Sequence, residues 1–196
     1  MKKSAVLSFS PLVAAMLLAV SGAQAQTYSF ASALGPEVPG AQGTGAVLVE
    51  FDVGAQTLSL DSIWFGLSGL TTVAHIHCCT ATPGTGTVGV AVTPGTLPGF
   101  PTGVNFGSYS VTLDLTQAST FTTGFLNGAG GGTVAGASAA LLAGLNAGSA
   151  YFNVHSTTFG PGEIRGFLQP VPEPATWGML ALGCLAVGAA ARRRAA

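Results

Sequence analysis

Residues 150–168, AYFNVHSTTFGPGEIRGFL, decide how this chain is read. Strand side chains alternate, so Tyr151, Asn153 and His155 share one face of a strand, and Phe152 and Val154 take the other. Phe159-Gly160-Pro161-Gly162 is dense in turn formers. Beyond it Glu163 and Arg165 share a face while Ile164 points away. The segment is therefore a hairpin with a polar face of His155, Glu163 and Arg165. Its one counterpart upstream is the pair His75 and His77 in VAHIHCC, and the two segments are predicted to meet.

Working outward, most of the chain has the same two-residue period. Thr27–Leu34 alternates weakly and is a first strand. Val47, Val49, Phe51 and Val53 oppose Leu48, Glu50 and Asp52 in a second strand over 45–53. Gly54-Ala55-Gln56 turns the chain into a third, 57–67, with Leu58, Leu60 and then Ile63 inward after a local irregularity. Asp52 and Asp61 flank this hairpin and solvate it. Trp64 and Phe65 are core or a surface patch, a carbohydrate platform being the alternative use. Residues 73–78 form the strand that carries the His pair, and Val88, Val90 and Val92 mark a short one. The Pro- and Gly-rich stretch 93–107 is predicted to be a surface excursion. Tyr109, Val111, Leu113 and Leu115 mark another strand, and 127–132 is a glycine run.

One segment breaks the pattern. Thr133–Leu145 is Ala-rich and free of proline, with Thr133 or Ser138 to cap it and Gly148 just past its end. It is predicted to be one short helix, weakened at Gly136 and Gly144 by about 1 kcal/mol each relative to Ala. Short strands with a single helix before the last hairpin make the domain all-β: an antiparallel, Greek-key-like sandwich or barrel.

Composition narrows the function. Residues 26–170, 145 in all, are an ordinary single-domain length. A chain of that size buries about two thirds of its unfolded surface. This body holds six carboxylates (Glu37, Glu50, Asp52, Asp61, Asp114, Glu163), one arginine (Arg165) and no lysine. Its net charge is −5, although the whole chain reads −1. Nucleic acid is excluded as a partner, because phosphate binding needs clustered Lys and Arg. The glycine run 128–132 has no following Lys and makes no phosphate cradle. No Ser-His-Asp order or placed pair of carboxylates points to catalysis, so no catalytic residue is assigned. Cys78 and Cys79 have no other cysteine in the body to pair with. They are a vicinal bridge or two free thiols, with soft metal ligation as a further option beside His75 and His77.

The two ends are targeting segments. Met1-Lys2-Lys3, an apolar run from Ala5 to Val20 and Ala23-Gln24-Ala25 have the form of a secretory signal peptide over 1–25, so signal peptidase is expected to leave Gln26 as the mature start. Pro172-Glu173-Pro174, a charge-free stretch from Ala175 to Ala191 and Arg192-Arg193-Arg194 follow the body. Seventeen apolar residues are just enough to cross a hydrocarbon core of about 30 Å. The arginines place their own end in the cytoplasm and the body outside it. Residues 171–196 resemble the PEP-CTERM sorting signal of Gram-negative bacteria. The resemblance implies a transient transmembrane anchor, cut near the PEP motif by an exosortase-type protease in organisms that make extracellular polysaccharide. The expected destination is the cell envelope or the extracellular matrix, with exopolysaccharide as a partner.

The body carries a second resemblance. Gly35-Pro36-Glu37-Val38-Pro39, Gly43-Thr44-Gly45, Ala74-His75-Ile76-His77, Leu141-Leu142-Ala143-Gly144, Tyr151-Phe152-Asn153-Val154-His155 and Gly162-Glu163-Ile164-Arg165-Gly166 fall in the order of the CHRD domain, first noted in chordin and common in bacterial secreted proteins. It covers about Tyr28 to Leu168. Cys78-Cys79 stands where a Gly commonly follows AHIH. The family implies no enzymatic activity, and in chordin the domain belongs to an extracellular binding protein.

The histidines have chemistry of their own. His75 and His77, two apart on one strand, have Cα atoms about 6.5–7 Å apart and rings on the same face. Both can reach one metal ion at about 2.0–2.1 Å. His155 offers a third nitrogen and Glu163 an oxygen, a set that suits zinc or copper. The His-x-His strand is similar to that of Cu/Zn superoxide dismutase, with Arg165 in the role of its anion-guiding arginine, but the other metal histidines of that family have no counterparts here. The competing reading is a hydrogen-bonded polar cluster that fixes strand register, with Arg165 pairing Glu163. The expectation is a secreted, non-enzymatic binding or structural domain; the alternative is a small extracytoplasmic metalloprotein, redox-active or not.

Overall fold

The computed structural model describes residues 26–172 and 182–184. The signal segment 1–25, Glu173, Pro174, the apolar tail apart from residues 182–184, and Arg192-Arg193-Arg194 lie outside the described residues. Among the described residues, no helix is long and apolar enough to cross a membrane.

Nine strands form one antiparallel sheet: β1 (Thr27–Pro36), β2 (Thr44–Asp52), β3 (Thr57–Phe65), β4 (Thr71–His77), β5 (Val90–Val92), β6 (Gly107–Asp114), β7 (Tyr151–Ser156), β8 (Ile164–Phe167) and β9 (Gln169–Pro170). Their spatial order is β5-β4-β7-β8-β1-β2-β3-β6, with β9 added beside β1. The sheet curls into a half-barrel around its core. The long strand β1 joins the two halves: residues 27–34 pair with β2, while Gly35 and Pro36 pair with β8. The expected antiparallel all-β architecture is the one observed.

Alternation builds the first half. Across a continuous register, Val49 and Phe51 of β2 lie opposite Leu60 and Leu58 of β3, Val47 opposite Ser62 and Gly45 opposite Trp64, and Val47, Val49, Phe51, Leu58, Leu60 and Trp64 are all buried. Each such side chain contributes about 1.5–3 kcal/mol when removed from water. The expected irregularity in β3 is absent. Ser62 and Trp64 continue the inward series, and Ile63 and Phe65 face solvent. Ser62 disguised the period, being a small polar residue at an inward position.

The loop 93–107 also departs from expectation. Leu97 and Phe100 enter the core, where the Phe100 ring stacks on Trp64 at 5.2 Å and meets Tyr109 edge-on at 5.3 Å. Leu97 N–H donates to the carbonyl of Ala74, which ties the loop to β4. The loop is a wall of the core on one side and a surface on the other.

The helix is α2 (Val134–Asn146), preceded by a single turn, α1 (Thr123–Asn127), whose only local signal is its cap, Thr122. The Thr133 hydroxyl caps α2 by accepting from Gly136 N–H at 3.0 Å. Ala137, Leu141 and Leu145 pack into the core, and the chain leaves through Gly148 at φ 65° into β7. Cys78 and Cys79, just past β4, are joined by a disulfide. Of the alternatives open from the sequence, the vicinal bridge is the one formed, and neither sulfur is a thiolate.

Candidate metal centre

The polar residues are gathered by register. Across β4, β7 and β8, His75 pairs Asn153 and Asn153 pairs Arg165, giving one row. The next row is His77, Tyr151 and Phe167. Period two then puts His155 beside Asn153, so the three histidines meet on one face. Their ligand atoms all lie within 4.8 Å of one another.

That face is not open to solvent, as a polar strand face usually is. His75, His77 and His155 are only 8–9% exposed, and Asn153 is 1% exposed. The cover is loop backbone, and its carbonyls orient the rings. His75 Nε2 donates to the carbonyl of Gly95, His77 Nδ1 to that of Val88 and His155 Nδ1 to that of Gly160, each at 2.7 Å. A carbonyl oxygen only accepts, so each of these nitrogens carries the proton. Burial lowers the pKa of His75 and of His77, the carbonyl bonds offset it in part, and the neighbouring imidazole of His155 lowers both further. These two rings are neutral near neutral pH, with one proton each.

The second nitrogens of His75 and His77 therefore present bare lone pairs. His75 Nδ1 faces His155 Nε2 at 3.1 Å. His77 Nε2 is buried with no hydrogen-bond partner. Metal-ligating histidines use this arrangement: one ring nitrogen fixed on a backbone carbonyl, the other left for the ion. The rings also pack on one another, His75 edge-on to His155 at 4.9 Å, while His77 lies flat on Tyr151 at 4.6 Å.

The acidic and basic residues are placed differently from the simple expectation. The Glu163 carboxylate is fully buried, but it accepts from Ser68 N–H, the Ser68 hydroxyl and Gly69 N–H, away from the three-histidine group. Arg165 does not pair with it. Its guanidinium lies 3.5 Å from Glu37 Oε1, donates to the carbonyl of Gly86 at 3.0 Å, and covers the rings of Tyr151 and Phe167 at 5.2 and 5.4 Å. Glu37 in turn accepts from Asn153 Nδ2 at 3.2 Å. Asn153 was visible on the polar face but not as part of the site; its position between Tyr151 and His155 was the available signal. Glu37 lies in the Gly35–Pro39 motif of the family resemblance, but 116 residues separate it from Asn153 and nothing in the sequence joins the two.

Comparison with known families agrees with this frame. The family model of the CHRD domain matches residues 28–168, and that of the PEP-CTERM protein-sorting motif matches residues 170–194. The sorting motif implies export and processing at the membrane by exosortase-type machinery. No curated protein and no solved structure matches the chain. Because the first match spans most of its length, the chain belongs to the CHRD domain family and carries a PEP-CTERM sorting motif.

Proposed function

We propose that the exported protein is a non-enzymatic binding or structural component of the cell envelope or extracellular polysaccharide matrix, and that its CHRD domain holds one zinc or copper ion on His75, His77 and His155. One observation carries the metal assignment. Three buried imidazoles each place one N–H on a loop carbonyl and turn the other nitrogen toward the same small volume. Without an ion, that arrangement buries lone pairs against one another and costs stability. With one, the same bonds become the outer support of a metal site. The ion would tie β4, β7 and three covering loops together, which suits a domain that must persist outside the cell.

The test is metal content of the full chain, purified from an envelope fraction without chelators or a His tag. About one zinc or copper ion per chain is expected, lost in His75→Ala and in His155→Ala. A protein that arrives without metal and takes up neither Zn(II) nor Cu(II) overturns the assignment. The histidines would then be a register-fixing polar cluster, with both variants merely less stable.

A further inference from the structure

We infer, building on the three-histidine reading, that Asn153 Oδ1 is the fourth donor of the centre and that Glu37, restrained by Arg165, is the positioning residue that aims it. The orientation of the amide is forced. The Glu37 carboxylate can only accept, so the group 3.2 Å from its Oε2 must be the Asn153 NH₂. The amide oxygen then points the other way, 3.2 Å from His155 Nε2. The Gly160 carbonyl holds a proton on His155 Nδ1, so in the neutral ring that contact sets one lone pair against another. A buried amide oxygen needs a positive partner. Asn153 is 1% exposed, and its amide oxygen is set against His155 Nε2.

A metal ion resolves both contacts at once. Donors bound at 2.0–2.1 Å in a tetrahedron lie about 3.3 Å apart. His75 Nδ1 to His155 Nε2 is 3.1 Å and Asn153 Oδ1 to His155 Nε2 is 3.2 Å, close to two edges of that tetrahedron. His77 Nε2, buried without a hydrogen-bond partner in a group whose ligand atoms lie within 4.8 Å of one another, completes the set.

The surroundings are shaped for the amide–carboxylate pair. Gly162 has φ 139°, and a Cβ there would collide with the Glu37 carboxylate and come within 3.0 Å of Asn153 Nδ2. Arg165 holds the other Glu37 oxygen, so the carboxylate supports the amide and does not compete with it for the ion. By accepting from Nδ2, Glu37 increases the negative charge on Oδ1. The resulting donors are three imidazole nitrogens and one amide oxygen, without a thiolate. That set favours a divalent ion of borderline softness, Zn(II) or Cu(II), over Cu(I).

Co(II) is the probe, because its visible absorption reports coordination. The full chain should take up one Co(II) with the bands of a four-coordinate ion. Asn153→Ala should weaken uptake about 10–100-fold and change the bands, and Asn153→Asp, which keeps an oxygen at that position, should recover much of the affinity. Glu37→Gln should weaken uptake about tenfold with one ion still bound at saturation. If Co(II) binds in a His75-dependent way but Asn153→Ala leaves affinity and bands unchanged, Asn153 is not a ligand and the three-histidine site stands. If the unaltered chain takes up no Co(II), the three-histidine reading fails and the fourth donor with it. Circular dichroism checks the fold of each variant. Should Asn153→Ala fail to fold, Glu37→Gln decides alone: unchanged affinity and bands there overturn the inference.

Discussion

Glu163 is a buried carboxylate in a domain with one arginine and no lysine, and hydrogen bonds are what stabilise it. Burial by itself would raise its pKa. The hydroxyls of Ser156 and Ser68 and the N–H groups of Ser68 and Gly69 outweigh burial and hold it below the ordinary 4.5. A depressed carboxyl stabilises the fold above the unfolded-state pKa and loses that contribution as pH falls through the folded value. Glu163→Gln keeps the shape and removes the charge. It should therefore cost about 1–3 kcal/mol in urea unfolding near pH 7. The gap should narrow as pH falls through the depressed folded-state value, where the native carboxyl is protonated as well. A gap that does not change with pH would show that the hydroxyl and N–H contacts, and not the charge, carry the effect. The sequence singled this residue out for its chemistry but not for its partner. Ser68 lies 95 residues away, in a stretch that reads only as punctuation before a strand.

At the level of elements, Gly144 sets helix propensity against packing. Taken alone, an Ala in the middle of α2 should stabilise the protein by about 1 kcal/mol. In the folded chain, a Cβ at Gly144 would collide with the sulfurs of both Cys78 and Cys79, because α2 is seated directly on the vicinal disulfide. Overpacking at such a contact costs about 1–3 kcal/mol, so Gly144→Ala should lower the melting temperature of the oxidised protein. A rise would mean that the helix stands off the disulfide. What was legible here follows from period and length. β2, β6 and α2 had long, consistent patterns and caps, and they form close to the expected positions. α1 has only five residues and gains its place from tertiary contacts. The inward turn of loop 93–107 depends on Leu97 and Phe100 finding Ala74 and Trp64, which no local pattern encodes. The site divides in the same way. The three histidines were legible from strand alternation, whereas the loop carbonyls that orient them and the Glu37–Asn153 pair arise only from the closed fold.

For the whole molecule, domain and tail impose one order of events. The body carries a disulfide, a bond that forms and persists in oxidising compartments, and its candidate ligands come together only once β4 meets β7. The proposed order is therefore folding, oxidation and metal loading outside the cytoplasm, followed by processing at the sorting motif over 170–194. β9 brings the chain to residue 170 along β1, and Val171 N–H donates to the carbonyl of Ser29. The folded body thus extends to the edge of Pro172-Glu173-Pro174, and cleavage at that motif would release it without unravelling a strand. In a host with an exosortase-type protease, intact mass analysis should find a species that starts at Gln26 and ends close to Glu173, in the envelope or the medium. Glu173→Ala should instead accumulate the uncut chain in the membrane fraction, with its disulfide formed and its metal content unchanged. If the unaltered protein stays in the membrane with Arg192-Arg193-Arg194 still attached, the tail is a permanent anchor. The domain would then work at the membrane surface and not in the matrix beyond it.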